Sequence, residues 1–243
     1  MRIRGVRQSY DQDRRRSKLM VEWRASDLSV QPITPGVAAL TRPDPVSVSD
    51  ERGVTYTAPA GLPAWTMTDG AAGLRLGDED SITFPFPGPE PCRVACVFVE
   101  RGTISGADGT VLWAIGSGTN RLDVTRQSGP RYRVSLIAGG ESVTAETPND
   151  PTTVGDVALI VVDVDADGRV RIGVQPEPSV PMDLSEWSAP NANGLPTEWN
   201  APTLEVNARG GENHGDVELR AVWAASPGDA PHTVHGWDTG PTS

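Results

Sequence analysis

The sequence predicts an all-β fold, an antiparallel β-sandwich or jelly roll carrying an extended N-terminal arm. Three observations predict it. After residue 73 the hydrophobic pattern alternates with a period of two nearly everywhere. The clusters PGPEP, SGADG, GSGTN, QSGP, AGG, TPNDP and ADG cut that pattern into short runs. Gly (26) and Pro (22) together make about a fifth of the 243 residues, which argues against long helices.

Ten strands follow in order: Ser81–Phe86, Cys92–Glu100, Thr110–Ile115, Arg121–Thr125, Arg131–Ile137, Ser142–Glu146, Asp156–Asp165, Arg169–Gln175, Thr203–Ala208 and Asp216–Trp223. Short strands at this spacing, with no helical stretch between them, make a sandwich. In the second strand Cys92 and Cys96 point to one face with Val94 and Phe98. Four extended residues span ~13 Å, beyond the ~7 Å between Cα atoms that a disulfide tolerates, so these thiols do not bridge each other. Trp113 and Trp223 alternate with other apolar residues inside strands and are expected in the core.

The best-defined piece is DVALIVVDVDADGRVRIGV, residues 156–174. A three-residue turn at Ala166, Asp167 and Gly168 sets Asp165 opposite Arg169 and Asp163 opposite Arg171. Val164 with Val170, and Val162 with Ile172, then share the other face. Cross-strand opposite charges contribute ~0.2–1 kcal/mol each, so the charge and apolar patterns select one register. The same residues read Asp-x-Asp-x-Asp-Gly, the opening of a calcium loop. An EF-hand requires a Glu eleven residues after Asp163, where Val174 stands, and flanking helices. The hairpin is the better reading.

Residues 31–71 have isolated apolar triplets cut by Pro and Gly, and are expected as extended pieces and short strands. Residues 227–243 form a Pro/Gly-rich tail anchored by Val234 and Trp237. The remaining divisions are an arm over 1–30 and the jelly roll over 72–226. Residues 1–18 hold Arg2, Arg4, Arg7, Arg14, Arg15, Arg16 and Lys18 against Asp11 and Asp13, a net +5. The other 225 residues carry 14 basic against 30 acidic groups, a net −16. A basic arm on an acidic body marks an arm that docks on something negative. The body repels nucleic acid, which excludes a general nucleic-acid-binding role. Trp23, with Leu19 and Val21, supplies an apolar face to the arm. Trp65 joins it as an anchor in the extensions.

No apolar run approaches the ~18–20 residues of a membrane span. The basic N-terminus has no apolar stretch behind it, so it does not read as a secretory signal.

Two stretches carry a resemblance. GLRLGDEDSITFPF, CRVACVFVERG, VGDVALIVVDVDADGRVRIGV and DVELRAVWAASPG, in that order, resemble the laminin G-like branch of the concanavalin A-like lectin/glucanase superfamily. GVAALTRPDPVSVSDERGVTYTAPAGLPAWT (36–66) is similar to a segment of tailed-bacteriophage structural proteins that commonly precedes such a domain. The usual Arg-Ala-Ser is replaced here by Arg42-Pro-Asp. The resemblance implies a non-enzymatic virion protein: a tail fibre, tail-tip, head-fibre or decoration subunit. Its implied partners are capsid or tail subunits, further copies of itself and a host-surface glycan. A glycan-active enzyme and a free lectin or adhesin are the alternatives.

A superfamily hydrolase needs paired carboxylates in a Glu-x-Asp-x-x-Glu string, which does not occur. No Gly-x-Ser-x-Gly elbow accompanies His214, His232 and His235. His232-x-x-His235, with Asp229 and Asp238, has metal-ligand residue types, but the tail around it is too rich in Pro and Gly to shape a site. No catalytic residue, metal or cofactor is expected. A carbohydrate site needs an aromatic platform with hydrogen-bonding groups on loops. Trp187, Asn191, Asn193, Trp199 and Asn200 offer this in one loop, and Asn207, Asn213, His214 and Asp216 in the next. The competing reading folds both Trp down as lids over the core and leaves the Asn residues to make turns.

Overall fold

A computed structural model describes residues 19–24, 46–49, 55–58, 64–68, 71–76, 81–86, 88–100, 110–127, 131–148, 157–176, 181–209, 212–213 and 217–225. In chain order the strands are β1 (Leu19–Arg24), β2 (Val46–Ser49), β3 (Thr55–Ala58), β4 (Ala64–Thr68), β5 (Ala71–Leu76), β6 (Ile82–Pro85), β7 (Cys92–Glu100), β8 (Thr110–Ser117), β9 (Asn120–Arg126), β10 (Tyr132–Ala138), β11 (Glu141–Glu146), β12 (Val157–Val164), β13 (Val170–Gln175), β14 (Asp183–Leu184), β15 (Thr203–Val206), β16 (Ala208–Arg209), β17 (Glu212–Asn213) and β18 (Val217–Ala225). No helix occurs among the described residues, and so none is long and apolar enough to cross a membrane.

Two eight-stranded antiparallel sheets form the sandwich. Sheet A runs β14-β13-β12-β7-β18-β5-β4. The free side of β18 is shared, with β5 along its first half and β1 along its second. Sheet B runs β11-β10-β9-β8-β15-β6-β3-β2. β16 and β17 pair with each other in a separate two-stranded sheet.

Alternation decides what lies between the sheets. Cys92, Val94, Cys96 and Phe98 of β7 face inward with Ile160 and Val162 of β12 and Ile172 of β13. They meet Trp113 and Ile115 of β8, Leu122 and Val124 of β9, and Leu136 of β10. Both cysteines are buried and unbridged. Trp113 is in this core as its strand pattern predicts. Trp223 is buried too, but in a second apolar cluster on the outward face of sheet A, with Ala95, Val97, Leu159, Val161 and Ala221. All nine residues of β18 are buried, so burial on both faces hides the alternation that would have assigned its side.

The β12–β13 hairpin has the predicted register, pairing Val164 with Val170, Asp163 with Arg171, and Val162 with Ile172. Its turn is fixed by Asp165, whose Oδ1 accepts the N–H of Asp167 and of Arg169, both at 2.9 Å. Gly168 adopts φ 68°, and a Cβ there would stand 2.5 Å from the Gly194 carbonyl. Only glycine fits that turn. Asp165 and Asp167 also pair with Arg169, so the calcium-like string is occupied by its own chain.

The expected boundary at 71/72 is crossed by sheet pairing. Before it, β1, β4 and Ala71 of β5 join sheet A, and β2 and β3 join sheet B. These strands are only 4–6 residues long, too short to show a period, and pairing to an existing sheet gives them their order. The seven basic residues of the arm, Arg2 to Lys18, lie outside the described residues. Trp23 lies in β1, with its Cα paired to that of Val222.

Candidate functional site

A row of charged side chains crosses the outward face of sheet A. Asp163 on β12 has Arg93 on β7 to one side and Arg171 on β13 to the other. Arg93 donates from Nε to Oδ1 at 2.5 Å and from Nη2 to Oδ2 at 2.8 Å, a two-pronged pairing. Arg171 donates from Nε to Oδ2 at 2.8 Å, and its Nη2 lies 2.7 Å from the same oxygen. The side chains are 21%, 7% and 28% exposed for Arg93, Asp163 and Arg171, so the carboxylate is enclosed by its partners. Burial pushes the Asp163 carboxyl up. Arg93 and then Arg171 outweigh it and hold the group below the usual carboxylate range.

The row ends on Trp187. The Arg171 guanidinium carbon lies 4.5 Å from the Trp187 ring centroid, a cation–π contact. The geometry comes from the segment beside β13. The Ser185 N–H donates to the Ile172 carbonyl, and the Ile172 N–H donates to Ser185 Oγ. The Ser188 N–H donates to the Val170 carbonyl, and the Val170 N–H donates to Ser188 Oγ. Glu186 and Trp187 therefore stand opposite the single residue Arg171, the two-against-one spacing of a β-bulge. A bulge re-aims side chains and closes off an open sheet edge. At 37% exposure, Trp187 is the one exposed large hydrophobic side chain among the described residues.

The rest of the predicted loop is structural. Asn191 is buried and donates from Nδ2 to the Glu141 carbonyl at 3.0 Å, with the Leu136 carbonyl at 3.5 Å. Asn193 donates from Nδ2 to the Ala138 carbonyl at 2.8 Å, and its N–H to Asn191 Oδ1 at 2.9 Å. Asn200 donates to the Ser117 carbonyl at 2.8 Å. These amides tie residues 191–200 to the β10–β11 and β8–β9 turns. Trp199 is in the core, against Gly116, where a Cβ would stand 3.3 Å from the ring and 2.5 Å from the Asn120 carbonyl. Trp199 therefore lies over the core as a lid, whereas Trp187 is exposed. Asn207 is fully buried at φ 63°, and its N–H donates to the Leu112 carbonyl. Asn213 belongs to β17, and His214 and Asp216 lie outside the described residues.

Asp123 and Glu146 also have local partners. Arg121 donates to Asp123 at 2.8 Å, and Arg133 donates to Glu146. No group of three or more His, Cys, Asp or Glu side chains suits a metal ion among the described residues. His232 and His235 lie outside them. Burial, then Asp163 and Glu90, pushes the Cys92 thiol up to about 12, and burial raises Cys96 as well. Neither has a nucleophile's environment.

Sequence reasoning missed Arg93 and Glu186. Arg93 carried a usable signal, being the one charged residue between the apolar neighbours Cys92 and Val94. Glu186 carried none, because a bulge two residues wide has no periodic signature.

No family model matches the chain, and no curated protein sequence matches it. Solved structures do. Domain 4 of AbnA, a GH43 extracellular arabinanase from Geobacillus stearothermophilus determined with arabinotriose, matches at TM-score 0.55 and 14% identity, covering 91% of this chain and 98% of that one. The binding domain of Paraclostridial Mosquitocidal Protein 1 matches at TM-score 0.57 and 8% identity, covering 81% and 51%. A botulinum neurotoxin mosaic serotype C/D receptor-binding domain matches at TM-score 0.52 and 8% identity, covering 88% and 48%. The chain spans about half the length of these toxin binding domains. At such identities the likeness establishes a shared β-sandwich.

Proposed function

We propose that this chain is a non-enzymatic recognition module that binds glycan at the Trp187 edge and is displayed in many copies on a virion. One observation carries the binding reading. Trp187 is held exposed by a bulge and by Arg171, which Asp163 in turn holds, whereas Asn191, Asn193, Asn200 and Trp199 hold other parts of the fold. A rigid, half-exposed aromatic ring beside hydrogen-bonding groups suits the C–H face and hydroxyls of a sugar. The likeness to a β-sandwich determined with arabinotriose supports the ligand class. The non-enzymatic part rests on the missing carboxylate string and on the arginine partners of Asp123, Asp163 and Asp165.

The virion part rests on the sequence resemblance: the phage-type segment over 36–66 preceding laminin G-like motifs, behind a basic arm. Multiple copies would convert roughly millimolar single-site affinity into useful avidity. A glycan array probed with the full chain and with Trp187→Ala tests the binding reading, and binding lost in the variant supports it. Turnover of any glycan, abolished by one Asp or Glu substitution, overturns the non-enzymatic reading. Electron micrographs of particles labelled on this chain test the virion reading.

A further inference from the structure

We propose that the Trp187 edge selects neutral sugars presenting two adjacent hydroxyls, which Glu186 and Arg171 read as an acceptor–donor pair. This inference rests on the glycan reading above and names the ligand class. Glu186 shares the bulge with Trp187 and is exposed. Its carboxylate makes no hydrogen bond or ion pair with a described residue, and its main-chain carbonyl accepts from Ser185 Oγ at 3.0 Å. Arg171 uses Nε and Nη2 on Asp163, leaving Nη1 without an acceptor among the described residues. Glu186 thus carries an open carboxylate next to Trp187 in the chain, and Arg171 holds an open guanidinium N–H against the same indole ring.

Adjacent sugar hydroxyls match that pair, because each hydroxyl both donates and accepts. One would donate to Glu186 and its neighbour would accept from Arg171, both as charge-assisted bonds. The sugar's C–H face would rest on the exposed part of the ring. Charge sets the class. Arg93 and Arg171 balance Asp163 and Glu186, so the row is neutral, and the whole chain carries −11. A sugar bearing a carboxylate or sulfate would meet the unpaired Glu186 beside the ring and gain no compensating excess of positive charge. One half-exposed ring accommodates about one sugar residue, so the single-site affinity would be low.

The test is titration of the full chain against immobilised neutral oligosaccharides (arabinan, glucan and galactan fragments) and against sialylated, uronate-containing and sulfated ones. The expected result is preference for a neutral set by about tenfold or more, with a similar loss in Trp187→Ala. Glu186→Gln, at an exposed position that leaves folding intact, should weaken neutral binding several-fold and narrow the gap to acidic glycans. Preference for acidic glycans, lost in Trp187→Ala, would overturn the ligand class while leaving the glycan reading standing. Glycan binding unchanged in Trp187→Ala would overturn the site, and no glycan binding at all would remove both readings.

Discussion

Arg93 and Asp163 stand seventy residues apart in the chain and meet as a two-pronged ion pair on the outward face of sheet A, with Nε to Oδ1 at 2.5 Å and Nη2 to Oδ2 at 2.8 Å. Arg171 shares the same carboxylate. The hairpin that positions Trp187 is thereby tied to β7 in the centre of the sheet by side chains as well as by its backbone ladder.

Asp163→Ala should destabilise the fold by roughly 2–3 kcal/mol, because it strips the acceptor from two half-enclosed guanidinium groups, whose partial exposure keeps the cost below that of a fully buried pair. Urea unfolding measures it. The exchange Asp163→Arg with Arg171→Asp should recover only part of the loss of Asp163→Arg alone. It restores the hairpin pair, but the new arginine still faces Arg93. Full recovery would mean that Arg93 contributes little.

The same pairing predicts a pH dependence. The Asp163 carboxyl is held below its ordinary value in the folded chain. Its contribution is therefore present above the unfolded pKa of about 3.9 and is lost as pH falls through the depressed folded value. Urea midpoints of the wild type and Asp163→Asn should differ most from pH 5 upward and converge in strong acid. A constant difference across that range would assign the effect to packing.

What was legible in the sequence follows from how local its cause is. Strands after residue 73 could be read because turn residues bound each alternating run, and β7 begins and ends where the pattern places it. The hairpin register was legible because both partners lie within nineteen residues of sequence. The pairing of Arg93 with Asp163 was not, since nothing near Arg93 encodes which strand will lie beside β7. The turn-holding hydrogen bonds of Asn191 and Asn193 were hidden for the same reason. Their acceptor carbonyls lie 50–55 residues away, so a polar loop reads alike whether it faces solvent or staples a turn.

Asn191→Ala should cost about 1–2 kcal/mol, because the Glu141 carbonyl loses its donor at a half-buried position and the Asn193 N–H loses its acceptor. Glycan binding at Trp187 should be unchanged, since Ser185 and Ser188 independently hold the bulge to β13. Thermal unfolding and the glycan array, run on one preparation, check both. Loss of binding without loss of stability would return Asn191 to the site.

Cys92 and Cys96 should resist a thiol reagent in the native state at pH 8 and both react after unfolding. Burial raises both thiols, to about 12 at Cys92, and both face the core. Their labelling rate should track global opening and slow in proportion to any stabilising condition. Fast labelling of either one in the native chain would show that β7 opens locally.

Truncation separates the arm from the fold. Removing residues 1–18 takes away the seven basic groups from Arg2 to Lys18 and leaves β1 in place. Stability should change by less than about 0.5 kcal/mol, the usual range for substitutions away from packed features. Removing residues 1–30 also removes β1, whose Val21, Glu22, Trp23 and Arg24 pair with Ala224, Trp223, Val222 and Ala221. The second half of β18 would then expose a row of unpaired backbone groups, and the loss should reach roughly 2 kcal/mol at ~0.5 kcal/mol per ladder bond, with a rise in aggregation. Incorporation into particles lacking the native copy completes the test. If the basic arm is the assembly handle, the shorter truncation should fold normally and fail to incorporate. Equal occupancy by that truncation and the full chain would move attachment elsewhere, and unaltered stability after the longer truncation would show that sheet A closes without β1.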